Sequence, residues 1–283
     1  MSGGLLVAGL VVPVPGFTVY NPLDTPWCRL DSRDYRPRLS KWIRQLMVHS
    51  TLGKWPQAVR TMPARDGHGE GAKATADYWR GSPEKSAAPI VVDFDGDVAC
   101  LADVVLTAAH HATLSNDWSV GIEMKQMPDG SIYDATLRST VAVCIALCEA
   151  LSIPFQITAD TYTPGSIISR MLHGGRDCVG IFGHRDQAWK FPEQLDAAKL
   201  KQYPNGHAAR GRGDPGDEIY KRLLGAGAEP FRYELGEDLA TWKRRQRKLN
   251  TLGEQLVVDG VAGPGTIAAM RRRGFVNGQT IGA

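Results

Sequence analysis

The chain has 283 residues, 33 Lys and Arg against 30 Asp and Glu, a formal net charge of +3 and a hydrophobic fraction of 43%. That length accommodates one sizeable domain and a small second one, and the apolar content supports packed cores rather than a disordered chain. No apolar run is long enough for a membrane-spanning helix, and no base-reading motif accompanies the cations, which argues against nucleic acid as a partner.

In chain order, residues 5–14 are apolar, but no Lys or Arg precedes them, the first basic residue is Arg29, and Pro13 and Pro15 interrupt the run. A secretory signal needs a positive start and a small-residue cleavage site. Residues 1–38 are therefore expected to form an extended arm lying on the domain that follows. Leu46, Met47 and Val48 then lead into His49, as a buried strand does when it delivers its last side chain to a sheet rim. A helix is expected over residues 72–79.

Along residues 119–124, Val120, Ile122 and Met124 alternate with Ser119, Gly121 and Glu123. Period two sends the first set into a core and the second to the opposite face. Residues 136–151 read as a helix with Val141, Ile145, Cys148 and Leu151 along one face. A strand over 153–158 and a helix between loops over 160–177 follow. A second apolar run ends in Gly183-His184-Arg185-Asp186, and Gly213-Asp214-Pro215-Gly216 opens a helix over 217–224. The long stretch between His184 and Asp214 carries Trp189, Phe191, Tyr203 and His207, and is expected to add a helix and part of a groove wall. Such alternation predicts an α/β fold: a mixed central sheet flanked by helices, with a site at the strand ends.

Two imidazoles, His49 and His184, and one carboxylate, Asp214, form a set that leaves one tetrahedral position of a zinc ion open, the pattern of catalytic rather than structural zinc. Each residue also has a plainer reading. A strand-end histidine can be a hydrogen-bonded rim residue, and Asp214 suits a helix N-cap, with Pro215 at the first helical position. His207 is a rival third ligand. Glu123 stands on the open face beside the small Gly121 and Ser119, where a carboxylate can take a proton from an attacking water and return it to a leaving amine. Five cysteines stand at positions 28, 100, 144, 148 and 178, without a Cys-x-x-Cys pair. Buried free thiols are expected, and folding in a reducing cytoplasm.

With those residues assembled, the sequence over roughly residues 40–225 resembles the zinc-dependent N-acetylmuramoyl-L-alanine amidases of the type 2 family, which are related to peptidoglycan recognition proteins. The resemblance implies zinc on His49, His184 and Asp214, with Glu123 catalytic in the stretch Ser119-Val120-Gly121-Ile122-Glu123, and a strand, tight turn and strand over residues 90–98. It makes His111, in Ala109-His110-His111-Ala112, a substrate contact; Asn116, at the head of the Glu123 segment, is a further candidate contact. Two departures stand out. Arg212 occupies the position, two before Asp214, where the family often has an oxyanion-stabilising lysine, and Ser86-Ala87-Ala88-Pro89 lacks the family's Ser-Ala-His histidine. Arginine keeps the charge, but its planar fork does not copy an ammonium.

Beyond residues 225–227 the character changes. Leu239, Trp242, Leu249 and Leu252 fall near helical spacing, and Asp259-Gly260 precedes a turn and Thr266. Residues 234–276 resemble the short helical peptidoglycan-binding repeat found beside wall hydrolases, with a last helix over 266–273. Residues 234–283 hold eight Lys/Arg against five Asp/Glu, so this region carries a net charge equal to that of the whole chain. Its basic runs at 243–248 and 271–273 are candidates for meeting anionic wall or outer-membrane groups.

The expected organisation is an arm over 1–38, a catalytic domain over 39–227 and a wall-binding domain over 234–276. The resemblance implies hydrolysis of the bond between N-acetylmuramic acid and the L-alanine of the stem peptide. A chain without a signal suggests cytoplasmic synthesis and action on the wall after release, as for a phage or prophage endolysin. An interbacterial effector is a second setting for the same chemistry. A non-catalytic peptidoglycan-binding protein is the alternative from a different class, and a nonspecific zinc peptidase a third.

Overall fold

The computed structural model describes residues 3–38, 43–52, 58–61, 69–82, 86–109, 116–158, 180–184, 215–231, 239–258 and 264–273. Two compact units divide the chain, residues 1–230 and 231–283. The first runs through β1 (Leu5–Val7), β2 (Leu10–Val12), β3 (Val19–Tyr20), β4 (Tyr35–Pro37), β5 (Gln45–Ser50) and β6 (Val59–Arg60). Then come α1 (Glu70–Gly81), β7 (Ile90–Val92), β8 (Val98–Cys100), β9 (Thr107–Ala109), β10 (Ser119–Met124) and β11 (Ile132–Tyr133). It closes with α2 (Asp134–Ala150), β12 (Gln156–Thr158), β13 (Gly180–Gly183), α3 (Glu218–Gly225) and β14 (Glu229–Phe231).

Eight of these strands form one sheet in the order β14-β12-β13-β5-β10-β7-β8-β3. From β12 to β7 the neighbours run parallel, β7 and β8 pair antiparallel, and β3 lies parallel to β8. The architecture is thus α/β with a mixed sheet. The parallel centre reads as it should: every residue of β5 and of β7 is buried, because both sheet faces are covered.

Side-chain alternation separates the two faces. Leu46, Val48, Ile90, Val92, Val120, Ile122, Met124 and Ile181 join one core with Leu137, Val143, Cys144 and Leu147 of α2 and Ile219, Tyr220 and Leu223 of α3. On the other face Val91 and Ala99 pack with Ala72, Ala76 and Trp79 of α1, and Met47 packs with Phe182. Each large apolar side chain buried this way contributes about 1.5–3 kcal/mol, which fixes the faces firmly.

The N-terminal residues do more than lie on the domain. Besides giving β3 to the main sheet, they pair β4 antiparallel to β9. Arg38 then reaches inward and donates to the carbonyls of Asn116 and Thr107 at 2.8 Å and of Val104 and Ser119 at 3.1 Å. Burial pulls its pKa down to about 10, with Asp117 opposing, so the guanidinium stays cationic at neutral pH. Cys28, Cys100, Cys144 and Cys148 are all buried free thiols, as the sequence led us to expect, and burial pushes the Cys100 and Cys148 thiols up to about 12.

The start of α1 is capped from outside its own segment. Its N-cap is Gly69, which supplies no side-chain cap. Instead the buried carboxylate of Asp93, just after β7, accepts the Ala72 N–H at 2.8 Å and its neighbour Phe94 N–H at 2.7 Å. Gly71 leaves room for it, since a Cβ there would stand 2.1 Å from Asp93 Oδ1.

In the second unit, α4 (Leu239–Thr251) and α5 (Pro264–Arg272) bury Leu249, Ala269 and Met270. Gln246 Nε2 donates to Thr266 Oγ1 at 3.1 Å inside it, and Asn250 holds both the N–H and the carbonyl of Leu256. The basic runs are not uniformly solvated: Arg245 is buried, and Arg272 and Arg273 both pair with Glu254, at 2.5 and 2.8 Å. The last helix starts two residues earlier than expected, at Pro264, because proline suits a first helical position. No helix among the described residues is long and apolar enough to cross a membrane. The helix expected over 160–177 and the groove segment between His184 and Asp214 lie outside the described residues.

Removing the remote cap should be felt by the whole first unit. Asp93→Ala is expected to lower its unfolding free energy by about 1–2 kcal/mol, with Asp93→Asn milder because an amide oxygen still accepts. Urea denaturation followed by circular dichroism checks this; an unchanged midpoint for Asp93→Ala would show that α1 does not depend on the cap.

Candidate functional site

Three neighbouring parallel strands bring the central candidates to one level. In the ladder between β10 and β5, Glu123 pairs with His49, and between β13 and β5, Gly183 pairs with Val48. His184, the next residue after Gly183, therefore stands level with His49, and the order across the sheet is His184, His49, Glu123. All three share the parity of Met47 and Phe182, so they belong to the face opposite the α2 core. They stand at the carboxyl ends of the parallel strands, where open α/β sheets bind ligands.

Both imidazoles are buried, and their ring centroids lie 4.6 Å apart with planes inclined at 65°. Nitrogens of two rings this close can reach a common ion at the usual 2.0–2.1 Å bond length. The chemistry of the donor pair thus fits a zinc ion, with Glu123 partly exposed beside it on the adjoining strand. No cluster of three or more potential ligands occurs among the described residues. Asp214, Arg212, His111 and the rival His207 lie outside them.

Gly183 shows how the strand end and the α3 segment are locked together. A Cβ at this position would stand 1.9 Å from the phenol oxygen of Tyr220 and 2.3 Å from Pro215 Cδ. Tyr220 is fully buried. Only glycine lets the Pro215 ring and the Tyr220 side chain close onto the strand one residue before His184.

Asn116 is not gathered with the others. It is buried just before the opening end of β10, and its carbonyl accepts from Arg38, whereas Glu123 stands near that strand's far end. Sequence reasoning also passed over the groups that border Glu123. Lys125 Nζ donates to Thr75 Oγ1 of α1 at 2.9 Å and lies 5.4 Å from the Phe94 ring centroid. Burial lowers the Lys125 pKa, while Asp93 and Glu123 oppose that shift. The only sequence signal was its parity with Glu123, two residues on.

Gly183→Ala should lower stability by about 1–3 kcal/mol through overpacking and weaken metal binding at the same time, since it pushes the Pro215 segment off the strand. Thermal melting with metal analysis of the purified variant checks both, and a variant with normal melting and normal metal content would refute the packing argument.

Residues 39–200 match the family model of N-acetylmuramoyl-L-alanine amidase, Amidase_2, which covers more than half of the chain. No curated protein matches the sequence. Among solved structures, a selenomethionine derivative of AmpD is similar at 18% identity over 69% of this chain and 92% of that one, with a TM-score of 0.37. A mutant endolysin from Bacillus subtilis is similar at 14% identity over 70% and 99%, with a TM-score of 0.39. A Drosophila peptidoglycan recognition protein, PGRP-SA, is similar at 16% identity over 47% and 73%, with a TM-score of 0.34. At those scores the overlays are likeness only, and it is the family match over residues 39–200 that identifies the chain as a member of the N-acetylmuramoyl-L-alanine amidase family.

Proposed function

We propose that this chain hydrolyses the amide bond between N-acetylmuramic acid and the L-alanine of the peptidoglycan stem peptide, with zinc held by His49, His184 and Asp214. The observation that carries the reading is the alignment of His184, His49 and Glu123 at one level of three adjacent strands, inside the region that matches the amidase family. Asp214 enters because Pro215, to which it is bonded, packs on Gly183, the residue before His184.

When bound there, zinc supplies Lewis-acid polarisation and makes water more acidic at neutral pH. The chain's own groups do the rest. Glu123 accepts a proton from the attacking water, whose oxygen adds to the amide carbon. The same carboxyl returns that proton to the nitrogen as the C–N bond breaks, leaving a carboxylate on the muramic acid lactyl group and a free amine on alanine. Arg212 is assigned to the developing oxyanion, and His111 to substrate contact. The second unit is assigned to wall binding, with a diminished electrostatic share because Glu254 neutralises part of its charge. Release from the cytoplasm through membrane lesions, as for an endolysin, fits this reading.

Three outcomes are expected. Purified full-length protein should bind one zinc per chain and release free lactyl carboxyl and alanine amino ends from muropeptides, as read by mass spectrometry; cleavage at another bond would overturn the reading. Glu123→Gln should keep zinc and fold while losing roughly 10²–10⁴-fold in turnover, because an amide cannot accept the proton. A chain ending at residue 230 should still cleave soluble muropeptides but lose rate on insoluble sacculi, since tethering raises local substrate concentration. Equal sacculus binding by both chains would remove the second unit from wall attachment.

A further inference from the structure

Beyond Glu123, β10 ends and the chain continues to Lys125, which shares Glu123's side of the sheet by parity. Its ammonium is fixed from three directions. The strand end supplies the residue, Thr75 of α1 accepts one of its hydrogens at 2.9 Å, and the Phe94 ring lies under it at 5.4 Å. Both supports are themselves braced. Thr75 Oγ1 donates to the Gly71 carbonyl at 3.0 Å, and Phe94 meets the Tyr133 ring edge-on with centroids 5.7 Å apart.

Among the described residues the ammonium keeps donors to spare. It carries three donors, and among the described residues one hydrogen bond and no ion pair engages them. The nearby Asp93 carboxylate is committed to the backbone of Ala72 and Phe94. Burial disfavours the cation, Asp93 and Glu123 oppose that effect, and a carboxylate from outside could take up the donors that no described residue engages. Such a ligand would otherwise meet the negative charges of Glu123 and Asp93 at the same rim. Strand geometry puts Lys125 about 6.6 Å along the chain from Glu123, close enough for one substrate to touch both.

We propose that Lys125 is a substrate-positioning residue whose ammonium, presented by Thr75 and Phe94, binds a carboxylate of the peptide and so sets where the scissile amide lies relative to Glu123. This rests on the amidase reading above and deepens it.

The test uses zinc-loaded full-length protein and soluble muropeptides in which each stem carboxylate in turn is free or converted to a primary carboxamide. For one of these positions, wild-type protein should show a KM about 10-fold or more lower on the carboxylate form, the size expected of a hydrogen bond to a charged group. Lys125→Met should raise KM on that form to the carboxamide value with kcat little changed, and Lys125→Arg should restore part of the preference. Thr75→Val should give an intermediate loss. If Lys125→Met does not fold, as judged by melting, Lys125→Gln replaces it in the same comparison. No preference in the wild type, or an equal fall in kcat on both forms in the variant, overturns the proposal. Failure of the wild type to cleave any muropeptide overturns the amidase reading itself, and this inference with it.

Discussion

The hydrogen-bond register of β13, β5 and β10 is the constraint on which the site depends. Parallel pairing places Gly183 beside Val48, and Glu123 beside His49, so the two histidines and the glutamate emerge side by side. Strand side chains alternate, so a one-residue slip would turn any of the three to the opposite face. What resists the slip is the packing behind the sheet. Leu46, Val48, Val120, Ile122 and Ile181 are almost completely buried against α2 and α3, and each would have to leave that core together. The hydrophobic face thus fixes the geometry of the polar one.

Around this level the fold adds two locks. On one side Asp93, just past the end of β7, caps α1, and Gly71 makes room for the contact. On the other, Gly183 admits Tyr220 and Pro215, tying the start of α3 to the strand that carries His184. Each lock joins a strand end to a helix start. His49, His184 and Glu123 therefore sit on elements whose positions are set by buried contacts, which is how a site keeps its spacing without relying on loops.

Much of this was legible in the sequence because it rests on period. The alternation of Val120, Ile122 and Met124 with Gly121 and Glu123 named both faces of β10 correctly, and the apolar run before His49 marked a buried strand. The expected helix over 136–151 is α2, Asp134–Ala150, and the strand, turn and strand that the family resemblance implied at 90–98 are β7 and β8 around Gly96, whose φ is 89°. The expected strand at 153–158 is shorter, Gln156–Thr158, since Pro154 lacks the N–H that a ladder needs. Long-range contacts left no local trace. Two-residue β3 is too short to show alternation, the four carbonyls around Arg38 come from distant turns and strand starts, and Asp93 reads from sequence as part of a turn rather than as the cap on the Ala72 N–H, 21 residues earlier. The setting of Lys125 was hidden for the same reason, because its supports lie on α1 and beyond β7.

The central proposal is one metal shared by the paired imidazoles, with Glu123 acting from outside its coordination shell. X-ray absorption at the zinc edge of reconstituted full-length protein measures this directly. The account predicts two imidazole ligands at about 2.0–2.1 Å completed by oxygen, with the same shell in Glu123→Gln and one imidazole fewer in His49→Ala. A shell without histidine, or one that changes when Glu123 is replaced, would contradict it.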